Sequence, residues 1–389
     1  MTLEERIIDS IDSKIDSYME IVQSLYDHPE IGFQEFETVK TLTAYLKKAG
    51  FEVTTPYVCE TGFIGEYKAA KAGPKIAFMC EYDALPEVGH GCGHNLIAGT
   101  GIAAGEALKS VIDEIGGTVL VIGTPAEENF GGKVFMADAG VFDDVDAALM
   151  VHPGVKNGVG GTSSAINPVR FEFFGKNAHG CHPQEGRSAL DCAVLTYVNV
   201  NMLRQMVEPG TFIHGVITNG GKAANVIPAY ACLDYYFRAP TMKYALYVSD
   251  RATKMAQAMA DANECELKTS IYETPYEDTL VNYALADMLY EKYEMLGLKD
   301  VEKVRETPGG STDVGAVSYK CPTIQGGIKI AGEEVQGHSK EMAAATISNE
   351  GRNGLKNAAK GIALVALDLI TKPETLAKVK EEFKQSTQA

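Results

Sequence analysis

Lys75-Ile76-Ala77-Phe78-Met79-Cys80-Glu81-Tyr82-Asp83 is an apolar run that ends in two carboxylates. Two later stretches are built the same way. Thr118-Val119-Leu120-Val121-Ile122-Gly123 leads through Thr124-Pro125-Ala126 into Glu127-Glu128, and Ala147-Ala148-Leu149-Met150-Val151 leads into His152. Short continuous apolar runs, bounded by Gly, Pro or acidic residues and separated by helical patterns, predict strands covered on both faces. The expected class is α/β, with a central, mostly parallel sheet between helical layers. In open sheets of this kind ligands gather at the carboxyl ends of the strands. Three segments therefore aim reactive side chains at what can be one place.

Outward from these runs, the opening stretch to about Asp27 and the stretch from about Glu35 to Ala49 read as amphipathic helices. The rhythm changes in the middle. Pro168-Val169-Arg170-Phe171-Glu172-Phe173-Phe174 and Tyr230-Ala231-Cys232-Leu233-Asp234-Tyr235-Tyr236 mix polar and apolar residues as half-exposed strands do. Helical patterns over about 187–206 and 241–262 lie among them. This predicts an inserted α+β domain over 166–275, within a catalytic domain made of 1–165 and 276–389. A final long helix is expected over about 340–371.

A chain of 389 residues is long enough for two cores. Its 45% apolar and 22% charged residues are ordinary for a globular protein. No apolar run reaches the ~18 residues of a membrane span, and the polar start, Met1-Thr2-Leu3-Glu4-Glu5-Arg6, lacks a signal pattern. A cytoplasmic location is the expectation. The net charge of -17 argues against nucleic-acid binding, which needs basic surface. The eight cysteines are scattered without disulfide spacing. Only Cys92 stands in a setting that suggests chemistry.

That setting is His90-Gly91-Cys92-Gly93-His94, just after the first run. Thiolate, imidazole and carboxylate together form a ligand set for Zn²⁺ or a similar divalent ion. Glycines on both sides of Cys92 let the loop wrap tightly. With Glu128 and His152 ending the other two runs, a metal site outweighs simple packing of Cys92 and His94. Glu127 and Glu128 cannot both point the same way from an extended chain. One can bind metal while the other stays free as a general base. Asp83 lies close enough in sequence to orient a ligand imidazole. Gly99-Thr100-Gly101 with Gly105 has the wrong spacing for a dinucleotide loop, and no P-loop or Gly-x-Ser-x-Gly elbow occurs. His28 and His214 have no reactive company, and His182 lies near His179 with nothing to make it distinctive.

In this order, Glu81-Tyr82-Asp83-Ala84-Leu85-Pro86, Gly89-His90-Gly91-Cys92-Gly93-His94-Asn95 and Gly123-Thr124-Pro125-Ala126-Glu127-Glu128 resemble the aminoacylase and carboxypeptidase family of two-metal amidohydrolases. The branch is that of hippurate hydrolase, indole-acetyl-amino-acid hydrolase, p-aminobenzoyl-glutamate hydrolase and β-alanyl-dipeptide hydrolase. The resemblance implies a catalytic α/β domain interrupted by a smaller lid domain that dimerises. It implies one or two divalent ions per chain, Zn²⁺ or Mn²⁺ first and Co²⁺ next, held by Cys92, His94, Glu128, His152 and His338. Glu127 matches the catalytic base and Asp83 the aspartate beside the first ligand position. His179 resembles the lid histidine that reaches a neighbouring subunit's site and stabilises the tetrahedral intermediate. Asn225 matches a substrate contact from the lid. Arg238 either binds a substrate carboxylate or forms a structural salt bridge, and Gly310 and Ser311 lie in a substrate-side loop. Many relatives carry His-x-Asp or Asp-x-Asp where this chain has Glu81-Tyr82-Asp83, which leaves open whether Glu81 touches metal.

The implied activity is hydrolysis of the amide bond of a small N-acyl amino acid or dipeptide-like substrate. Two other readings stand beside it: a non-catalytic binding protein of the same fold, and an aminopeptidase or deaminating hydrolase on the same site.

Overall fold

The computed structural model describes residues 1–388. The chain begins with α1 (Leu3–Asp27) and α2 (Phe36–Lys48), then β1 (Glu52–Thr54), β2 (Phe63–Lys68), β3 (Lys75–Cys80), α3 (His94–Ile115), β4 (Thr118–Gly123), α4 (Gly132–Asp138) and β5 (Ala147–Gly154). A second set follows: β6 (Ala165–Phe174), β7 (Ala178–His179), α5 (Ala189–Leu203), β8 (Phe212–Asn219), β9 (Val226–Ile227), β10 (Tyr230–Ala239), α6 (Met242–Ala262) and β11 (Glu266–Ile271). The chain closes with α7 (Tyr283–Met295), α8 (Val314–Ser318), β12 (Thr323–Lys329), α9 (Lys340–Thr346), α10 (Asn349–Thr371) and α11 (Pro373–Gln388).

These elements form two compact units. The first comprises Met1–Thr162, Thr279–Thr307 and Thr312–Ala389, and the second Ser163–Asp278 with Pro308–Ser311.

The first unit is an α/β layered structure on a six-stranded sheet of order β1-β2-β4-β3-β5-β12. β4, β3, β5 and β12 are parallel, while β1 and β2 add an antiparallel edge. The strands are apolar because both faces are covered. β4 is buried along its whole length, and β3 from Ile76 onward. α1 starts at a capping box of Thr2 and Glu5. It buries Ile7, Ile11, Ile15, Tyr18, Val22 and Leu25, a stripe at helical spacing. α3 is buried nearly all round, as expected of a helix packed between α1, α10 and the sheet.

The second unit is an antiparallel sheet, β11-β6-β10-β8, with α5 and α6 packed on it. Its core alternates along the strands, as at Val169, Phe171 and Phe173 or Leu233, Tyr235 and Phe237.

The long closing helix is two helices in the structure. α9 ends at Thr346, and Ser348 opens α10 by accepting from Gly351 N–H at 3.0 Å. An N-cap serine restarts the chain here, although the apolar spacing reads through it.

Candidate metal centre

The site lies in the first unit, at the carboxyl ends of β3, β4 and β5. The turn after β3 carries Asp83, and the loop beyond it carries Cys92. His94 is the first residue of α3, and Gly93 before it adopts φ +85°, a left-handed backbone suited to glycine. His152 stands inside β5, which continues to Gly154. His338 arrives from the loop before α9, and its N–H donates to Gly91 O at 3.0 Å. A Cβ at Gly91 would sit 3.0 Å from Ser339 O and 2.6 Å from Val88 Cγ1, so only glycine permits this approach.

Two overlapping ligand sets result. Ligand atoms of Cys92, His94 and His152 lie within 4.8 Å of one another, and so do those of Cys92, Glu128 and His338. Cys92 Sγ is 3.5 Å from His152 Nε2. Two ligands of one tetrahedral ion at Zn–S of about 2.3 Å and Zn–N of about 2.0 Å stand about 3.5 Å apart. His338 Nε2 is 3.6 Å and His94 Nε2 3.9 Å from Glu128 Oε1.

The donor chemistry fits a metal as well. His94 Nδ1 bonds Asp83 Oδ1 at 2.9 Å, and His152 Nδ1 bonds Pro153 O at 2.7 Å. Both rings therefore turn Nε2 toward the cluster, the orientation that outer partners impose on ligand histidines. His94 Nε2 and Glu128 Oε1 are buried without a hydrogen-bond partner. Orphaned acceptors are costly unless a cation or water takes them. Burial raises the Cys92 thiol to about 12. An ion at this sulfur must displace a proton.

Asp83 reaches further than sequence spacing indicates. Its Oδ2 accepts the Glu128 N–H at 2.9 Å while Oδ1 holds His94. Burial alone would raise this carboxyl, but the His94 imidazole and the Glu128 N–H outweigh it and hold it below the usual range.

The turn carrying Glu127 and Glu128 has its own support. Ala126 adopts φ +59°, a strained conformation for a residue with a Cβ. Its N–H donates to Glu35 Oε1 at 2.9 Å, and Phe130 and Gly131 N–H return to its carbonyl. Glu35 is fully buried and also accepts from Thr61 Oγ1 at 2.7 Å. Burial pushes it up to about 7, against the pull of these donors. Sequence reading missed Glu35, whose partners are distant in the chain.

Glu127 stands beside His94 and Glu128 on one side and Glu81 and Asp313 on the other. Burial, then the Glu81 and Asp313 carboxylates, push it well above the usual carboxylate range. Glu81 is fully buried, with Oε2 3.4 Å from His94 Nε2 and Oε1 2.6 Å from Lys133 Nζ. His90 is buried, and desolvation holds it neutral, down to about 3.

The remaining expected residues lie in the second unit. His179 and Asn225 meet on the small ribbon of β7 and β9, where Gly180 N–H donates to Asn225 O at 2.7 Å. Both are exposed. Arg238, near the end of β10, donates to Ser311 Oγ at 2.7 Å, and Gly310 O accepts from Ser164 N–H.

The chain matches the model of peptidase family M20/M25/M40 over residues 77–360. The Xaa-Arg dipeptidase of Mus musculus is 35% identical over 98% of this chain and 92% of that protein. One of the p-aminobenzoyl-glutamate hydrolase subunits of Escherichia coli K12 is 35% identical over 75% of this chain and 65% of its own length. A solved dinuclear metal-binding M20 peptidase of Bacillus subtilis has the same fold, with TM-score 0.65 at 20% identity, over 92% of this chain and 99% of that one.

Proposed function

As a member of peptidase family M20/M25/M40 this chain is a hydrolase of amide bonds, and we propose that it cleaves N-acyl amino acids or dipeptide-like substrates. The observation that carries this is the pair of ligand sets sharing Cys92, with Glu127 beside them. Cys92, His94, Glu128, His152 and His338 would hold one or two divalent ions, Zn²⁺ or Mn²⁺ first. When bound, such ions supply Lewis acidity and a water that loses its proton near neutral pH.

The chain's own residues do the rest. Glu127 takes the proton from the attacking water as the new C–O bond forms. His179, supplied by a neighbouring subunit, donates to the developing oxyanion. Glu127 then passes its proton to the amide nitrogen as the C–N bond breaks, leaving a carboxylate and a free amine. Asp83 keeps His94 in the tautomer that offers Nε2. Asn225 and Ser311 orient the substrate, and Arg238 pairs with its carboxylate.

A second copy of the chain is the proposed partner. α5 leaves Val194, Leu195, Val198 and Met202 42–62% exposed, and β8, an edge strand, leaves Phe212 55% and Val216 59% exposed. An apolar helix face beside an open strand edge is a surface that a matching copy covers. No helix among the described residues is long and apolar enough to cross a membrane, and we place the protein in the cytoplasm.

The test is hydrolysis of a panel of dipeptides and N-acyl amino acids, with product identification, before and after chelation. Acyl–amide cleavage lost on chelation and restored by Zn²⁺ or Mn²⁺ supports the reading. Released ammonia as the product redirects it to deamination. A protein that binds no metal and stays inactive with every added ion sinks it.

A further inference from the structure

Behind the proposed metal ligands lies a third cluster. Carboxylate oxygens of Glu81, Glu127 and Asp313 lie within 4.8 Å of one another, close enough to surround one cation. Glu81 and Asp313 are fully buried. Three carboxylates gathered in this way repel one another and demand a positive charge.

The chain supplies that charge itself. Lys133, in the first turn of α4, is fully buried. Its Nζ is 2.7 Å from Asp313 Oδ1 and 2.6 Å from Glu81 Oε1. Its backbone N–H also donates to Asp313 Oδ2 at 3.0 Å, which fixes the pair at both ends. Glu81 then spans the two environments, with Oε1 on the ammonium and Oε2 toward His94 Nε2. A cation position made only of carboxylate oxygens suits Mg²⁺ or Mn²⁺ rather than a thiolate-seeking ion. It would also enlist Glu127 as a ligand.

We propose that Lys133 occupies the place a further divalent ion would otherwise take, so that Glu81, Glu127 and Asp313 stay metal-free and Glu127 keeps its carboxylate for the proton. Lys133 is thus a positioning residue with a role in metal count. The proposal rests on the metal-dependent reading above. A tethered ammonium carries a single charge, does not exchange with solvent, and offers no coordination site.

The experiment is Mn²⁺ content per chain by elemental analysis of the full chain, wild type against Lys133→Ala, with melting temperature recorded with and without Mn²⁺. Lys133→Ala is expected to carry one more Mn²⁺ per chain than wild type. Its melting temperature should rise more on adding Mn²⁺, because an ion that binds only the folded state stabilises it. Lys133→Ala/Asp313→Ala should lose the extra ion. If Lys133→Ala does not fold in metal-free buffer, Mn²⁺ should restore it. Lys133→Gln, which keeps hydrogen-bond donors without the charge, should gain the same extra ion. Equal Mn²⁺ counts in wild type and folded Lys133→Ala or Lys133→Gln overturn the proposal. A wild type that binds no metal overturns the metal-dependent reading itself, which separates the two failures.

Discussion

Asp83 Oδ1 accepts from His94 Nδ1 at 2.9 Å, and this bond decides which imidazole nitrogen faces the cluster. The same carboxylate holds the Glu128 N–H, so one residue aligns two proposed ligands, one at the start of α3 and one in the turn after β4. Asp83→Asn keeps the size but cannot accept from both. We expect metal affinity or activity to fall about 10–100-fold. Titration of the apo-protein with Zn²⁺ measures it, and unchanged affinity and activity would remove Asp83 from this role.

Glu127→Gln removes the proton acceptor without removing a proposed ligand. Turnover should fall by about 10²–10⁴-fold while metal content stays at the wild-type value. Elemental analysis alongside the hydrolysis assay separates the outcomes. Near-normal activity would transfer the base role elsewhere, and loss of metal would make Glu127 a ligand.

Glu35 gives a pH prediction with a definite sign. An ordinary glutamate titrates near 4.5, and burial raises Glu35 to about 7. Between these values the folded chain keeps a proton that the unfolded chain has released. The resulting stability is fully present below about pH 4.5 and is lost as pH rises through about 7. The loss amounts to roughly 3 kcal/mol at about 1.4 kcal/mol per pKa unit. Glu35→Gln should flatten the urea-denaturation stability profile over this interval. Parallel profiles for the two proteins would exclude Glu35 as the titrating group.

Val198→Asp places a charge on the exposed face of α5. Light scattering should report the mass of a single chain for this variant and of two for wild type. Amide hydrolysis should fall with the mass, since His179 is proposed to act across subunits. A variant that remains dimeric, or a monomer with full activity, would contradict the arrangement.

What could be read from sequence followed from local order. Asp83 and Glu127-Glu128 follow the carboxyl ends of β3 and β4, and His152 lies near that of β5, so the position of such groups relative to buried strands suffices to bring them together. Lys133 and Asp313 escaped notice because they are 180 residues apart. A lysine after Gly131-Gly132 reads as solvent-exposed until the fold buries it. Asp313 lies just beyond the substrate-side loop of Gly310 and Ser311, and nothing local marks it as a partner of Lys133. Glu35 was hidden as the start of α2, since nothing local reveals that it holds the Ala126 N–H. The break between α9 and α10 was lost because the apolar period continues across Ser348.

Cys92 belongs to both ligand sets, but its companions differ. His94 is fully enclosed, whereas His338 has a side chain 60% exposed on a loop with φ +58°. The inner position joins one sulfur to two shielded nitrogens, and the outer one joins that sulfur to a carboxylate and a solvent-facing ring. Were both positions to take ions, the inner one would exchange slowly and the outer one would equilibrate with the medium. The supply of free metal around the protein would then act as a throttle on its catalytic rate.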